Sequence, residues 1–401
     1  MPARTPSIAL LACLLLSAAS PAALAACSMR IEGDDLFIEG CNVHIVNGTG
    51  KTETANGLGN LIVGYNEKRG GGADARGGSH NVVVGSRNNF ARYGGVVAGR
   101  GNEIGGAYAS VTAGTENVAS ASFAAVSGGR HNVAAGESSA VSGGQYGVAS
   151  GGASSIGGGW DNQTVGSFST ASGGSTNFVA GDYAASSGGR ENGVGGRYAW
   201  VGGGQTSSAN GERAAILGSE RALASGRAST IVGSNAALAS GDGAFIGSGL
   251  ETTASGAGAT VLGGAFLKAT GLQSTAVGGT NNETSGDRSL VAGGDHNLAE
   301  GADGVVAGGY LNEAHYGGSV FGGGRNAAEN GTVLGGDRNV ATGNLAVVAG
   351  GRFNHAEGVA SSVTGGAENL ASGDASSVSG GQSRSAIGPS DWAAGAPFQD
   401  D

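Results

Sequence analysis

The amino-acid sequence predicts an all-β chain, a parallel β-solenoid of about twenty stacked coils of roughly fifteen residues each. Three recurring features carry that expectation. A glycine pair returns at a fixed step, from Gly128-Gly129 through Gly143, Gly158, Gly173, Gly188 and Gly203. It resumes at Gly263, Gly278, Gly293, Gly308, Gly323, Gly335, Gly350, Gly365 and Gly380, with degenerate copies from Val84, Ala98 and Ala113. An asparagine follows four residues after the first glycine, at Asn88, Asn102, Asn117, Asn132, Asn162, Asn177, Asn192, Asn282, Asn297, Asn312, Asn339, Asn354 and Asn369. An apolar, mostly β-branched residue sits just ahead of the pair, as at Val111, Val126, Val141, Ile156, Val201, Ile216, Ile231 and Val291.

Composition supports an ordered array. Of 401 residues, 84 are glycine, about three times the usual share. Proline is too scarce for collagen, at 5 residues, and no three-residue glycine period exists. A disordered chain would combine low hydrophobicity with high charge. Here 39% of residues are hydrophobic and 13% charged, which favours stacking of short apolar strands. The net charge is −10, and the only lysines are Lys51, Lys68 and Lys268, so no nucleic-acid partner is expected.

The unit reads Gly-Gly-x-x-Asn-x-Ala-x-Gly-x-x-Ser-x-Val-x. Both the pair and the later glycine (Gly136, Gly181, Gly286, Gly301, Gly343, Gly358, Gly373) suit a left-handed backbone. Asparagine tolerates such turns and bonds nearby backbone, and stacked copies are expected to form an amide ladder. Valine before the pair should form an interior row, with the alanine after asparagine filling a narrow core. The recurring serines read as solvated strand positions. Three spacings depart from the rule: 233 to 247 is one residue short, 247 to 263 one long, and 323 to 335 three short.

Residues 1–26 read as a secretion signal. Arg4 precedes an apolar run from Ile8 to Ala19, and Ala23-Leu24-Ala25 offers a small-residue cleavage site. Residues 27–57 read as an N-terminal hairpin and cap. Ser28–Ile31 should face Leu36–Glu39 across a turn at Gly33-Asp34-Asp35. Two fates are open for Cys27: a disulfide with Cys41, which an oxidising compartment would preserve, or lipidation at the box-like Leu24-Ala25-Ala26-Cys27. Repeats are expected over 58–388. Residues 389–401, with Trp392 and Phe398, are expected to break the repeat and cap the last coil.

An aromatic row stands at one phase: Tyr108, Phe123, Phe168, Tyr183 and Tyr198. It reads either as an exposed strip for sugars or surfaces, or as an interior or inter-chain packing row. Scarcity of aromatics favours packing.

The unit as it stands in Asn132-Val133-Ala134-Ala135-Gly136 and Ser138-Ser139-Ala140-Val141-Ser142-Gly143-Gly144 resembles the head repeats of YadA-like trimeric autotransporter adhesins, over about residues 58–388. The resemblance implies a left-handed parallel β-roll, three chains about a common axis, and adhesion to host or environmental proteins or glycans. The family repeat is usually nearer fourteen residues. Its coiled-coil stalk and membrane-anchor barrel have no counterpart here, so self-transport through an outer membrane is not expected.

Catalytic patterns do not emerge. Gly48-Thr49-Gly50-Lys51-Thr52 lacks the upstream glycine of a phosphate loop, since Ile45 stands there, and reads as an exposed loop. No Gly-x-Ser-x-Gly elbow occurs. The six histidines (His44, His80, His131, His296, His315, His355) do not share one phase, since only His131 and His296 stand in step and they are eleven coils apart, and the aspartates after glycine (Asp182, Asp242, Asp287, Asp337, Asp374) lack calcium-nonapeptide spacing. No metal, cofactor or enzymatic activity is therefore expected. The leading expectation is a secreted or surface-displayed adhesin-like structural protein. The alternatives are a polysaccharide-active solenoid enzyme, which would need carboxylates clustered at one phase, and a lipid-anchored surface-layer component.

Overall fold

The structure is a computed structural model that describes residues 27–70, 72 and 74–395. The expected leader, 1–26, and the end of the expected tail, including Phe398, lie outside the described residues. The chain divides into two units, Met1–Ile45 and Val46–Asp401.

In the first unit, β1 (Ser28–Glu32) pairs antiparallel with β2 (Asp35–Glu39). Glu32 faces Asp35, so the turn is the two residues Gly33-Asp34, and Gly33 supplies the positive φ of 59° that such a turn demands. The Arg30 guanidinium lies 4.1 Å from the Phe37 ring centre and 3.0 Å from Glu39. Cys27 and Cys41 form a disulfide, their Cα atoms 5.0 Å apart. Of the two fates open to Cys27, this is the one the structure holds.

The second unit is a parallel β-solenoid of about 21 turns. One sheet runs from β3 (Leu61–Val63) to the strand Trp392–Ala393, and a second from Asn89–Phe90 to Ser385–Ala386. From Val82 to Ala386 each coil makes one short strand in each sheet, joined by two turns. Coil-to-coil hydrogen bonds are continuous: Val133 N–H donates to Gly147 O at 2.7 Å, and Ala140 N–H to Ser154 O at 2.9 Å. The buried backbone is thereby satisfied.

Four inward rows fill the interior. The valine row (Val111, Val126, Val141, Ile156) and the alanine row (Ala119, Ala134, Ala149) are both buried as expected. The asparagine row is buried too. The fourth row corrects an expectation. Ser139, Ser154, Ser169, Ser229 and Ser289 are interior, not solvated. Extended segments alternate sides, so Ser139 and Val141 must face the same way. Ser169 Oγ donates to Gly166 O at 2.6 Å, and Ser229 and Ser289 bond back to glycine carbonyls likewise.

Glycine has two distinct roles, where a single one was expected. Gly129 adopts φ 88°; a Cβ there would lie 2.2 Å from Gly144 O and 2.5 Å from Asn132 Nδ2. Gly136 has ordinary φ, yet a Cβ there would lie 2.0 Å from Gly151 O. In the fifteen-residue coils this column is glycine apart from Ala121 because successive backbones nearly touch, and backbone handedness plays no part.

Coil lengths also differ from the spacing of glycine pairs. Thr230 faces Phe245 and Phe245 faces Thr260, so the coils around residue 247 keep fifteen residues and only the glycine shifts. Val305 faces Ser319 and Ser319 faces Thr332, giving coils of fourteen and thirteen. The run Gly322-Gly323-Gly324 hid this, because either of two pairs fits the pattern. The missing residues come from the turn that leads back to the first sheet. That turn has five residues after Ala299, four after Ala314 and three after Ala328. A further excursion over residues 64–77 separates β3 from its partner strand Val82–Ser86.

Coils between residues 204 and 250 use a different turn. Gly204–Gln205, Ser219–Glu220, Ser234–Asn235 and Gly249–Leu250 form a third, four-stranded parallel sheet. There the asparagine column is Ser207, Ala222, Ala237, Thr252 and Leu267, and Ser219 and Ser234 turn inward. At the C-terminal end, Trp392–Ala393 pairs with Ser377–Val378, and Trp392 Nε1 donates to Ser379 Oγ at 2.8 Å. The repeat therefore continues into the expected tail as far as Ala393.

Candidate functional site

The interior is spent on folding, so recognition chemistry must lie on the turns and outer faces. The turn that follows the second sheet carries Tyr108, Phe123, Phe168, Tyr183 and Tyr198, all at φ between 57° and 59°. They are 38% to 56% exposed, which corrects the interior-packing reading within one chain. Tyr108 and Phe123 stack at 5.5 Å with planes 10° apart; Phe168 and Tyr183 at 5.0 Å and 6°; Tyr183 and Tyr198 at 5.2 Å and 19°. Tyr93 meets Tyr108 edge-on, and Arg197 lies 4.8 Å over Tyr198. A left-handed backbone costs a non-glycine residue roughly 1–2 kcal/mol, while a stacked pair returns roughly 0.5–1.5 kcal/mol. The ladder thus about offsets its own strain and adds little net stability. Rings kept exposed at that balance are candidates for recognition. Tyr108 donates to Glu53 Oε1 at 3.1 Å, and burial, with help from Glu53, holds its phenol above the ordinary tyrosine range.

A second edge lies on the glycine turn. A single aromatic phase in the sequence does not reveal it, because His131 and Tyr146 stand at one phase and Trp160 at the next. His131 stacks on Tyr146 at 5.1 Å, and Tyr146 meets Trp160 edge-on at 5.1 Å. Farther along the same edge, Arg325 lies 5.5 Å over Tyr310, and Arg338 and Arg352 flank Phe353 at 5.0 and 5.3 Å. The readable signal was the pairing of arginine and aromatic residues at phases adjoining the asparagine.

The outer face of the first sheet bears an apolar patch. Trp200, Leu217, Phe245, Leu262, Phe321 and Leu334 are exposed there. Trp200 and Phe245 lie against Gly202 and Gly247, where a Cβ would meet their rings at 2.5 and 3.2 Å.

Five histidines and the aspartates that follow glycine have structural partners. His131 Nε2 is 3.1 Å from Glu116, His296 pairs with Asp295, His315 with Glu300 and Glu313, and His355 with Glu357. His80 Nε2 accepts from Asn47 N–H at 3.2 Å. Asp182, Asp242, Asp287 and Asp374 each accept a backbone N–H from the preceding coil at 2.8–3.0 Å, while Asp337 pairs with Arg338. These aspartates brace turns. Arg288 grips Asp303 through two bonds of 2.7 and 2.8 Å, and those bonds hold that carboxyl below its usual range. The segment Gly48–Thr52 closes on itself: Thr49 N–H donates to Asn47 Oδ1 at 3.0 Å, and Thr54 Oγ1 to Lys51 O at 2.8 Å.

No protein-family model matches the chain, and no curated protein shows significant similarity to it.

Proposed function

We propose that this chain is an exported structural rod for attachment, without enzymatic activity, holding sugar rings or protein surfaces of a host or environment against its turn edges. The observation that carries the reading is the exposed aromatic ladder, stacked from coil to coil at 5.0–5.5 Å. Such a strip offers a repeated flat apolar surface. The leader-like start of the sequence and the Cys27–Cys41 disulfide support a secreted or cell-surface location, since that bond persists in oxidising compartments. The apolar outer face from Trp200 to Leu334 supports side-by-side association of copies, a homotrimer in keeping with the resemblance to YadA-like heads.

Binding to immobilised matrix proteins and insoluble polysaccharides tests the reading. Tyr183→Ala/Tyr198→Ala is expected to bind about tenfold more weakly, the equivalent of ~1.4 kcal/mol. Full binding by this variant and by Tyr108→Ala/Phe123→Ala, or no binding by the unaltered chain, would sink it. The same samples at sedimentation equilibrium report association; a monomer removes the trimer and leaves the rod.

A further inference from the structure

We propose that the glycine-turn edge of the first coils is a binding site for an anionic polysaccharide, its acidic groups held by Arg87 and Arg100. This rests on the attachment reading and names a ligand class for one place on the rod.

A cavity of about 290 Å³ opens there, lined by Arg69, Arg87, Arg100, Gly101, Glu116 and Val118. Its arginines divide into two kinds. Arg69 is a strut: Nε donates to Arg87 O at 3.1 Å, Nη1 to Glu103 Oε2 at 3.0 Å, and Nη2 to Gly101 O. Its charge is answered by Glu103. The guanidinium groups of Arg87 and Arg100 have no acid or carbonyl partner among the described residues. The other acid at the cavity, Glu116, lies 3.1 Å from His131 and makes no ion pair with either arginine. A chain of net charge −10 thus keeps two unanswered cations side by side on adjacent coils. Guanidinium forks bind carboxylate and sulfate in paired hydrogen bonds, and both groups occur on acidic polysaccharides.

The edge continues in a way that suits a polymer better than a small ion. Arg100 pairs in register with Thr115, Thr115 with Arg130, Arg130 with Gln145, and Gln145 with Trp160. At about 4.8 Å per coil, Arg100 and Trp160 stand roughly 19 Å apart, a span for several linked sugar residues. Arg130 has no acid partner among the described residues either, and half-buried His131 with exposed Tyr146 and Trp160 lies beside and beyond it. Charge at one end and ring faces at the other match a charged chain of sugar rings. Asp161, next to Trp160, sets an acidic limit to the track.

The test measures binding of the full chain to dextran sulfate, polygalacturonate, neutral dextran and single-stranded polynucleotide at low and high salt. The sulfated and carboxylated arms identify the acidic group. At least one anionic saccharide is expected to bind about tenfold or more tightly than dextran, and more weakly as salt rises. Arg87→Ala/Arg100→Ala should lose about tenfold, and Arg87→Lys/Arg100→Lys should recover part of it. Arg227→Ala, on the other turn edge, should change nothing. The alanine variant is expected to fold, because Ala236 already holds the backbone conformation of Arg87, φ 54° against 57°. Undiminished binding by the folded alanine variant overturns the site, and equal, arginine-dependent binding of polynucleotide overturns the saccharide assignment. Surface binding through Tyr183 and Tyr198 without any anionic preference removes this site and leaves attachment standing. No binding to any polymer or surface removes attachment itself.

Discussion

Gly166→Ala is expected to loosen the coil stack around residues 151–196, lowering stability by roughly 1–3 kcal/mol, the usual range of overpacking costs. An added Cβ at Gly166 would lie 2.2 Å from Gly181 O and 2.5 Å from Gly181 C. Both atoms are backbone, held by coil-to-coil hydrogen bonds such as Ala180 N–H to Val194 O at 2.9 Å. Neither can swing aside as a side chain would, so relief requires a local adjustment of the ladder such as surrounds Ala121, the alanine this column already holds. Gly143→Ala is the matched control. It too belongs to the repeat, but it has ordinary φ and nothing within 4 Å of the added carbon. Alanine there should be neutral, or stabilising by about 0.4–1 kcal/mol through loss of unfolded-state freedom. Denaturant unfolding of both variants, with amide exchange around residues 151–196, reads the difference. Because repeat arrays unfold by neighbouring units, the loss in Gly166→Ala should centre on the coils it touches. Similar stabilities for the two variants would contradict the close-approach role of the column.

Asn132→Ala is expected to cost roughly 2–4 kcal/mol, on the scale of about 1–3 kcal/mol for each buried backbone group left unpaired. Asn132 Nδ2 donates to Gly128 O and Gly144 O, both at 3.0 Å, and Oδ1 accepts from Gly147 N–H at 2.8 Å. The same set recurs at Asn117, Asn297, Asn312, Asn354 and Asn369. The ladder therefore joins side chains to backbone. The amide-to-amide contact expected from the sequence is seen at Asn177 Nδ2 to Asn162 Oδ1, 3.1 Å. Alanine does occupy this column at Ala222 and Ala237, where Ser219 and Ser234 face inward. The coil of Asn132 has Gly129 in place of such an inward serine, so the same residue should be tolerated in one and damaging in the other. Thermal unfolding of Asn132→Ala beside Ala237→Ser would show the contrast; equal, small losses would refute it.

The sequence made the repeat, the valine and alanine rows, the asparagine turn and the β1–β2 hairpin legible, because each follows from period and residue type. Glycine roles were not legible. Gly129 and Gly136 look alike in sequence, and only the next coil separates a φ requirement from a close approach. The interior serines were misjudged because residue polarity was weighed above the two-residue alternation that Val141 already fixed. The third sheet was hidden in coils that seemed irregular, where Ser219 and Ser234 stand in place of the second glycine. At the candidate site, the exposed row from Tyr108 to Tyr198 was visible as a phase. The Arg87–Arg100 edge was not, since its residues come from coils of degenerate sequence and from the excursion that carries Arg69.

Small-angle X-ray scattering of the chain from Cys27 onward tests the stacked-coil fold most directly. About 21 coils at ~4.8 Å require a rod on the order of 100 Å long, with a radius of gyration near 30 Å whether or not copies pack side by side. A maximum dimension of about 65 Å with a radius near 21 Å, the value for a compact domain of this length, would contradict it.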